Sequence, residues 1–277
     1  MIGALLTPHL APHAHGAVPL EFIAMMFAGL AIIAYAGGMV ASRRAGRPWP
    51  FHRGVLWIAG VVAATVSVVG PLAAVAHDSF VAHMWSHLLI GMLAPVLLVL
   101  AAPVTLALRT LDVVPARRLA RLLKSRPARF VAHPITATVL SAGGLWLIYL
   151  TPTFGSMQSN PLVHLLVHAH VLAAGYLFTT AVIGLDPRPH PATKWLTAAA
   201  LVLAVASHAV LAKYLYAHPP AGVAASEAHE GARLMYYLGG WIEAAVIVIF
   251  CAQWYRAAGR SLSRAGAPRG DRLTRSR

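Results

Sequence analysis

The feature that most constrains this chain is a series of uncharged apolar runs, each about twenty residues long. A run of that length crosses a bilayer as a helix, because a backbone removed from water must satisfy its own hydrogen bonds. Of the 277 residues, 58% are apolar and 11% are charged. This composition excludes a soluble enzyme, a secreted disulfide scaffold and a disordered chain. The single cysteine, Cys251, excludes a disulfide within the chain.

Seven runs qualify as membrane spans, so the sequence predicts an all-α, polytopic membrane protein, a bundle of seven transmembrane helices. The runs cover residues 18–41, 54–76, 82–108, 135–151, 162–184, 196–217 and 234–255. The fourth run is short and contains Gly143 and Gly144. We therefore expect an outside His/Pro-rich segment over 1–17, a membrane domain over 18–255 and a disordered basic tail over 256–277.

The basic residues predict the orientation, because Lys and Arg collect in cytoplasmic loops. Most of the 22 basic residues lie in 42–53, 109–134, 184–195 and the tail that starts at Arg256. The N-terminus is therefore predicted to be outside and the C-terminus cytoplasmic. The net charge of +14 has the same explanation, since it sets the topology and meets anionic membrane lipid. No nucleic-acid partner is predicted.

Histidines at helical spacing begin two of the runs. His83 and His87 stand four residues apart in the third run, and His164 and His168 do the same in the fifth. Residues at i and i+4 share a helix face, so each pair can contact one metal ion. Both runs enter from the predicted outside, and His208 in the sixth run has a comparable depth. The sequence therefore predicts that these five imidazoles meet in the outer half of the bilayer.

Further residues are candidates for the same site. His77, Met84 and His170 are possible additional metal ligands. Glu243, an acid within the seventh run, is predicted either to orient a ligand histidine or to make a structural bond between helices. Imidazole with nearby thioether favours copper, and Cu(I) in particular, while zinc also accepts imidazole. Copper is therefore the expected metal, with zinc left open.

Several alternatives remain open at this point. A single histidine near a membrane surface is commonly an interfacial anchor. His9, His13 and His15 form a second outside cluster in the Pro-rich N-terminal segment, which either collects copper ions loosely or, as we expect, is a disordered tail. Two histidines on different helices can ligate haem, so a membrane b-type cytochrome is one alternative. A copper transporter with Glu243 and Lys213 along its path is another. No nucleophile with a base and an orienting acid is visible, so no enzyme activity is predicted.

Three stretches of the chain carry a family resemblance. They are His83-Met84-Trp85-Ser86-His87-Leu88-Leu89 with Ala94-Pro95 and Ala102-Pro103 after it; Pro161-Leu-Val-His164-Leu-Leu-Val-His168 leading to Gly184-Leu-Asp186-Pro187; and His208 with Gly239-Gly240-Trp241. Together they resemble the CtaG-like cytochrome c oxidase assembly factors over residues 18–255. Ser86 stands where that pattern has Gln.

The resemblance implies a seven-helix protein of the bacterial plasma membrane that supplies copper to an aa3- or caa3-type oxidase. It implies His83, His87, His164, His168 and His208 as the copper ligands. The implied partners are the catalytic subunit of cytochrome c oxidase and a periplasmic copper chaperone. No catalytic activity of its own is implied.

Overall fold

The structure, a computed structural model, describes residues 20–187 and 192–265. Within these ranges the chain is helical, and no strand is present. His9, His13, His15 and the end of the predicted basic tail lie outside the described residues.

The described chain forms fourteen α-helices, and two π-helical turns interrupt the third and fourth runs. The α-helices are α1 (Leu20–Arg44), α2 (Phe51–Val66), α3 (Pro71–Val75), α4 (Phe80–Leu88), α5 (Ala94–Leu100), α6 (Pro103–Thr110), α7 (Val113–Leu123), α8 (Arg126–Val131), α9 (Pro134–Thr138), α10 (Gly144–Leu150), α11 (Thr153–Ser159), α12 (Pro161–Val182), α13 (Lys194–Ala217) and α14 (Ala225–Ala265). The π-helical turns are Leu89–Leu93, between α4 and α5, and Val139–Gly143, between α9 and α10.

Six helical stretches in the described residues are long and apolar enough to cross a membrane. They are Glu21–Arg44, Phe51–Val75, Phe80–Thr110, Pro161–Val182, Lys194–Ala217 and Ala225–Arg260. The protein is therefore an all-helical, multi-pass membrane protein.

The fourth predicted run is bent. Pro134–Leu150 and Thr153–Ser159 meet at an angle of 77°, and the number of candidate spans is seven only if this pair is one span. Pro152 lies in the break and has no N–H to continue the hydrogen bonding of the preceding turn. The prediction of seven spans thus depends on this pair.

The π-helical turns occur where glycine and proline weaken the regular helix. Pro95 has no N–H to donate to the carbonyl of Gly91, so the ordinary bond four residues back is missing inside the third run. Gly143 and Gly144 stand at the end of the second π-helical turn. Each widened turn shifts the helix face that follows it and frees backbone carbonyls.

The helices pack around one central group. α14 lies against α4 and α13, and α12 lies against α5 and the π-helical turn Leu89–Leu93. At one side α1 and α2 pack together, with α1 against α6 and α2 against α5. One apolar cluster joins α4, α10, α11, α13 and α14. Its largest fully buried side chains are Met84, Met157, Leu211, Leu215 and Met235. Large apolar side chains on α1 and α2 are exposed, as expected for a surface that meets lipid.

The last helix extends beyond the predicted membrane domain. α14 continues past residue 255 and ends at Ala265. Residues 256–260 contain arginine and alanine, which have high helix propensity. The first part of the predicted disordered tail is therefore helical.

Asp186 connects the fifth run to the third. The backbone turns at Ala102, whose φ is +52°, before α6 starts at Pro103. The Asp186 carboxylate accepts hydrogen bonds from the Thr105 N–H at 2.7 Å, the Thr105 hydroxyl at 2.6 Å and the Val104 N–H at 3.3 Å. Because Asp186 follows α12 in the chain, this buried carboxylate caps a helix that lies 81 residues earlier.

We expect Asp186→Ala to lower the thermal stability of the purified protein. The substitution leaves the first N–H groups of α6 without an acceptor, which costs about 1–2 kcal/mol and lowers Tm by several degrees. Asp112→Ala is the matched control, because Asp112 stands at the N-cap of α7 and its side chain makes no capping bond. Equal Tm values for the two variants in detergent would contradict the role given to Asp186.

Candidate metal centre

The first histidine pair follows the capped N-terminus of α4, and both of its side chains are buried. Ser79 stands at the N-cap of α4, and its hydroxyl accepts a hydrogen bond from the Ala82 N–H at 3.4 Å. His83 and His87 follow one turn apart, and only 6% and 8% of their surfaces are exposed. Residues four apart share a face, so both imidazoles point into the bundle.

A second capped start holds the other pair. The Asn160 side chain accepts hydrogen bonds from the two N–H groups that follow Pro161, at 2.9 and 3.3 Å. His164 and His168 lie on the next turns of α12, the first half-buried and the second buried. Both predicted pairs are thus fixed near the beginnings of their helices.

His77, His164 and His168 form a stacked row of rings. The His77 and His164 centroids are 5.0 Å apart, and those of His164 and His168 are 4.2 Å apart. The His168 Nδ1–H donates to the His164 carbonyl at 2.9 Å, which leaves Nε2 as its lone-pair nitrogen. The buried Nδ1 of His164 has no hydrogen-bond partner. The row therefore offers unused imidazole nitrogens, with exposed His77 at its outer end.

His83 belongs to an aromatic pocket beside this row. Its Nε2 lies 3.1 Å from the Tyr149 hydroxyl, and its ring meets Phe154 edge-on at 5.2 Å. His83, Tyr149 and His168 line a small cavity that His87 also reaches. His83 therefore contacts the Tyr149 hydroxyl, and it shares the small cavity with one histidine of each predicted pair, His87 on α4 and His168 on α12.

His87 and His208 form a second group, which we call the cavity pair. Their ring centroids are 6.1 Å apart, and each residue is more than nine-tenths buried. The Nδ1–H of His208 donates to the Glu243 carboxylate at 3.1 Å. The Nε2 atoms of His87 and His208 have no hydrogen-bond partner. Glu243 therefore lies beside a histidine of the predicted set and fixes its tautomer.

The cavity pair opens into a larger cavity between five helical runs. Both π-helical turns contribute to its wall, through Gly91 and Met92 in one and Ser141 and Ala142 in the other. The histidine spacing does not reveal this feature. Its signal in the sequence is Pro95 after Gly91 and the Gly143-Gly144 pair, since proline and glycine weaken regular helices.

His170 lines the larger cavity, but its Nε2 already has a hydrogen-bond partner. Its Nε2–H donates to the Leu140 carbonyl at 3.2 Å, within the second π-helical turn. The ring also lies close against Gly144, where a side chain would collide with it. As placed, His170 holds the widened turn together and does not turn Nε2 toward the other imidazoles.

Met84, the predicted additional ligand, and Met157 are placed differently relative to the histidines. Met84 is fully buried in the apolar cluster, in contact range of Gly231 on α14. Met157 lines the small cavity with His83 and His168. As placed, Met84 packs in the core, and a different methionine adjoins the imidazoles.

The structure distributes the five predicted histidines over neighbouring groups instead of one point. Within residues 20–187 and 192–265, no three His, Cys, Asp or Glu side chains are arranged to hold one ion together. The stacked row holds His164 and His168, the cavity pair is His87 and His208, and His83 lies in the aromatic pocket. His83, His87 and His168 line the small cavity where these groups meet. Metal binding by these residues stays a prediction.

Comparison with known proteins identifies the family. A sequence model described as cytochrome c oxidase caa3 assembly factor matches residues 33–257. Uncharacterized proteins of Mycobacterium bovis and Mycobacterium tuberculosis are each 41% identical over 164 residues, and one of Mycobacterium leprae is 37% identical. Each match covers 57% of this chain and 25% of the relative's length. No solved structure matches. The chain belongs to the cytochrome c oxidase caa3 assembly factor family.

Proposed function

We propose that this protein binds copper in the membrane and supplies it to cytochrome c oxidase during assembly. The observation that carries the proposal is the set of buried imidazole nitrogens without hydrogen-bond partners, on His87, His164 and His208. An unpartnered polar atom in a dry interior is unfavourable, and a bound metal ion relieves that cost. Family membership supplies the link to the oxidase.

The donor set fits copper as cargo. Neutral imidazoles carry no charge to desolvate, so they are the least costly metal ligands in a bilayer. Imidazole together with the thioethers of Met92 and Met157, which line the two cavities, favours Cu(I) over hard cations. Zinc accepts imidazole equally well, but thioether is a poor ligand for it.

The burial of the histidines suggests a direction for the cargo. His77 is exposed, His164 is half-buried, and His168 and His83 are buried. An ion that enters at His77 can exchange ligands stepwise along the stacked row, because surplus ligands keep partly exchanged states coordinated. The catalytic subunit of the oxidase is the proposed acceptor, and a periplasmic copper chaperone is the proposed donor.

The proposal includes a topology. We place the protein in the bacterial plasma membrane with seven spans, the N-terminus outside and the C-terminus cytoplasmic. Arginines cluster in 109–134 and at the end of α14, which favours these regions as cytoplasmic. The bent pair α9–α11 is then the fourth span and brings α11 to the outer side, where the loop with His77 between the second and third spans also lies.

The topology can be tested with single cysteines. In a Cys251→Ser background, we expect Ser159→Cys on α11 to react with a membrane-impermeant maleimide added to intact cells. We expect Arg118→Cys on α7 to react only after permeabilisation, because one span lies between the two positions. Both native side chains are exposed. Labelling of both cysteines from the same side would show that α9–α11 does not cross the membrane.

Copper delivery can be tested in the native bacterium. We expect deletion of the gene to lower oxidase activity, and excess copper in the medium to restore part of it. The His164→Ala/His168→Ala variant should fail to complement, because it removes two imidazoles of the stacked row. His133→Ala is the matched control, since His133 is exposed and its side chain makes no capping bond.

Two results would contradict copper supply. One is full complementation by the His164→Ala/His168→Ala variant at low copper, with normal copper content in the purified oxidase. The other is a Soret band in the purified assembly factor, because haem ligation by these histidines would make the protein a membrane cytochrome.

A further inference from the structure

The larger cavity offers space for a ligand between the helices of the membrane domain. It lies between the third and fourth runs, α12, α13 and α14, and apolar side chains such as Val96, Phe178 and Val246 form most of its wall. About 80 Å3 of the cavity is wide enough for the centre of a water-sized sphere. Small apolar-walled cavities with a few polar groups are the usual form of binding sites.

Two imidazole nitrogens in this cavity lack partners. His87 and His208 are 8% and 9% exposed, and the Nε2 of each makes no hydrogen bond. Because Nδ1–H of His208 donates to Glu243, its Nε2 bears the lone pair and can bind only a hydrogen-bond donor or a metal ion. The Glu243 carboxylate alone determines this tautomer.

The separation of the two rings suits one bridging ion. A metal–nitrogen bond is about 2 Å long, and a ring nitrogen lies about 1.2 Å from its centroid, so two imidazoles facing each other across an ion have centroids about 6 Å apart. The observed separation is 6.1 Å, and the two ring planes are inclined by 33°. The His87 and His208 rings are thus close enough for one ion to contact both.

Close helix contacts hold the cavity pair in place. A side chain at Gly239 would come within 2.5 Å of the His208 Cε1, so α14 presses directly on that ring. A side chain at Gly91 would lie 3.4 Å from the His87 ring. Gly175 packs so tightly against the Gly91 carbonyl that no side chain fits there. Small residues thus fix both imidazoles without filling the space between them.

We propose that His87 and His208 form a second Cu(I) site, separate from the stacked row, with Met92 as an available thioether and Glu243 positioning His208. This inference rests on the proposed copper function and adds a site within the membrane domain. Cu(I) accepts few ligands and prefers imidazole and thioether, which is the donor set present here. Oε1 of the Glu243 carboxylate accepts from His208, so Glu243 acts here by positioning that imidazole.

The two sites are connected through His87. His87 lines the larger cavity with His208, and it lines the small cavity with His83 and His168. An ion held by the stacked row therefore reaches the cavity pair by ligand exchange at His87, without leaving the protein. The cavity pair is the terminal holding site, and the stacked row is the entry site.

Copper stoichiometry tests the proposal on the purified full-length protein. Cu(I) is titrated against a coloured Cu(I) chelator under anaerobic conditions, and the chelator's absorbance reports the ions that the protein withholds. We expect about two tightly held ions per chain for wild type, about one for His208→Ala and about one for His164→Ala/His168→Ala. Glu243→Gln should retain both ions and weaken one of them about 10–100-fold, because it perturbs the positioning of His208.

His170→Ala is the matched control, since His170 lines the same cavity but directs its Nε2–H at Leu140. It should retain both ions, and thermal unfolding of each variant shows whether it is folded. If the wild type holds one ion, and that ion is lost in His164→Ala/His168→Ala but kept in His208→Ala, the second site is overturned and the copper function stands. Loss of all copper in a folded His208→Ala variant also overturns it, because the histidines would then form one site. A wild type that holds no copper overturns both proposals.

Discussion

The cost of leaving a polar group without a partner inside the bundle is the constraint on which the rest of this structure depends. Each polar side chain there needs a partner in the protein or a ligand. Asp186 meets that need with Thr105 and Val104, and the Nε2–H of His170 meets it with Leu140. Against this background His87, His164 and His208 each have a buried nitrogen without a hydrogen-bond partner, as do the hydroxyls of Ser86 and Thr180 among the described residues. The nitrogens are the ones that can bind a metal ion.

Backbone features create the space in which those nitrogens lie. The two π-helical turns widen neighbouring runs at the same cavity, and glycines let α12 and α14 approach closely on either side. A regular helix at Leu89–Leu93 would rotate the residues after it and close much of this opening. Both features belong to the third run. The Asp186 carboxylate caps α6 at the end of this run, and the π-helical turn Leu89–Leu93 lines the larger cavity in its middle.

Much of the architecture could be predicted from apolar run lengths, since a helix that crosses a bilayer leaves a long uncharged sequence. The helical spacing of His83 and His87 predicts a shared face, and both are buried. Their grouping could not be predicted, because it depends on how each helix is rotated against its neighbours. His87 lies with His208 across a helix interface, and Met84, between the two histidines in sequence, turns into the apolar core. The angle between α9–α10 and α11 likewise depends on packing around Pro152.

X-ray absorption at the copper edge of the purified, Cu(I)-loaded protein tests the central claim most directly, because it reports which atoms surround the metal. Copper bound by the histidines of the bundle gives a low-coordinate Cu(I) spectrum, with nitrogen neighbours about 2 Å away and the outer-shell scattering of imidazole rings. A spectrum without imidazole scattering, or one of copper surrounded by oxygen only, would contradict the assignment of these histidines to copper.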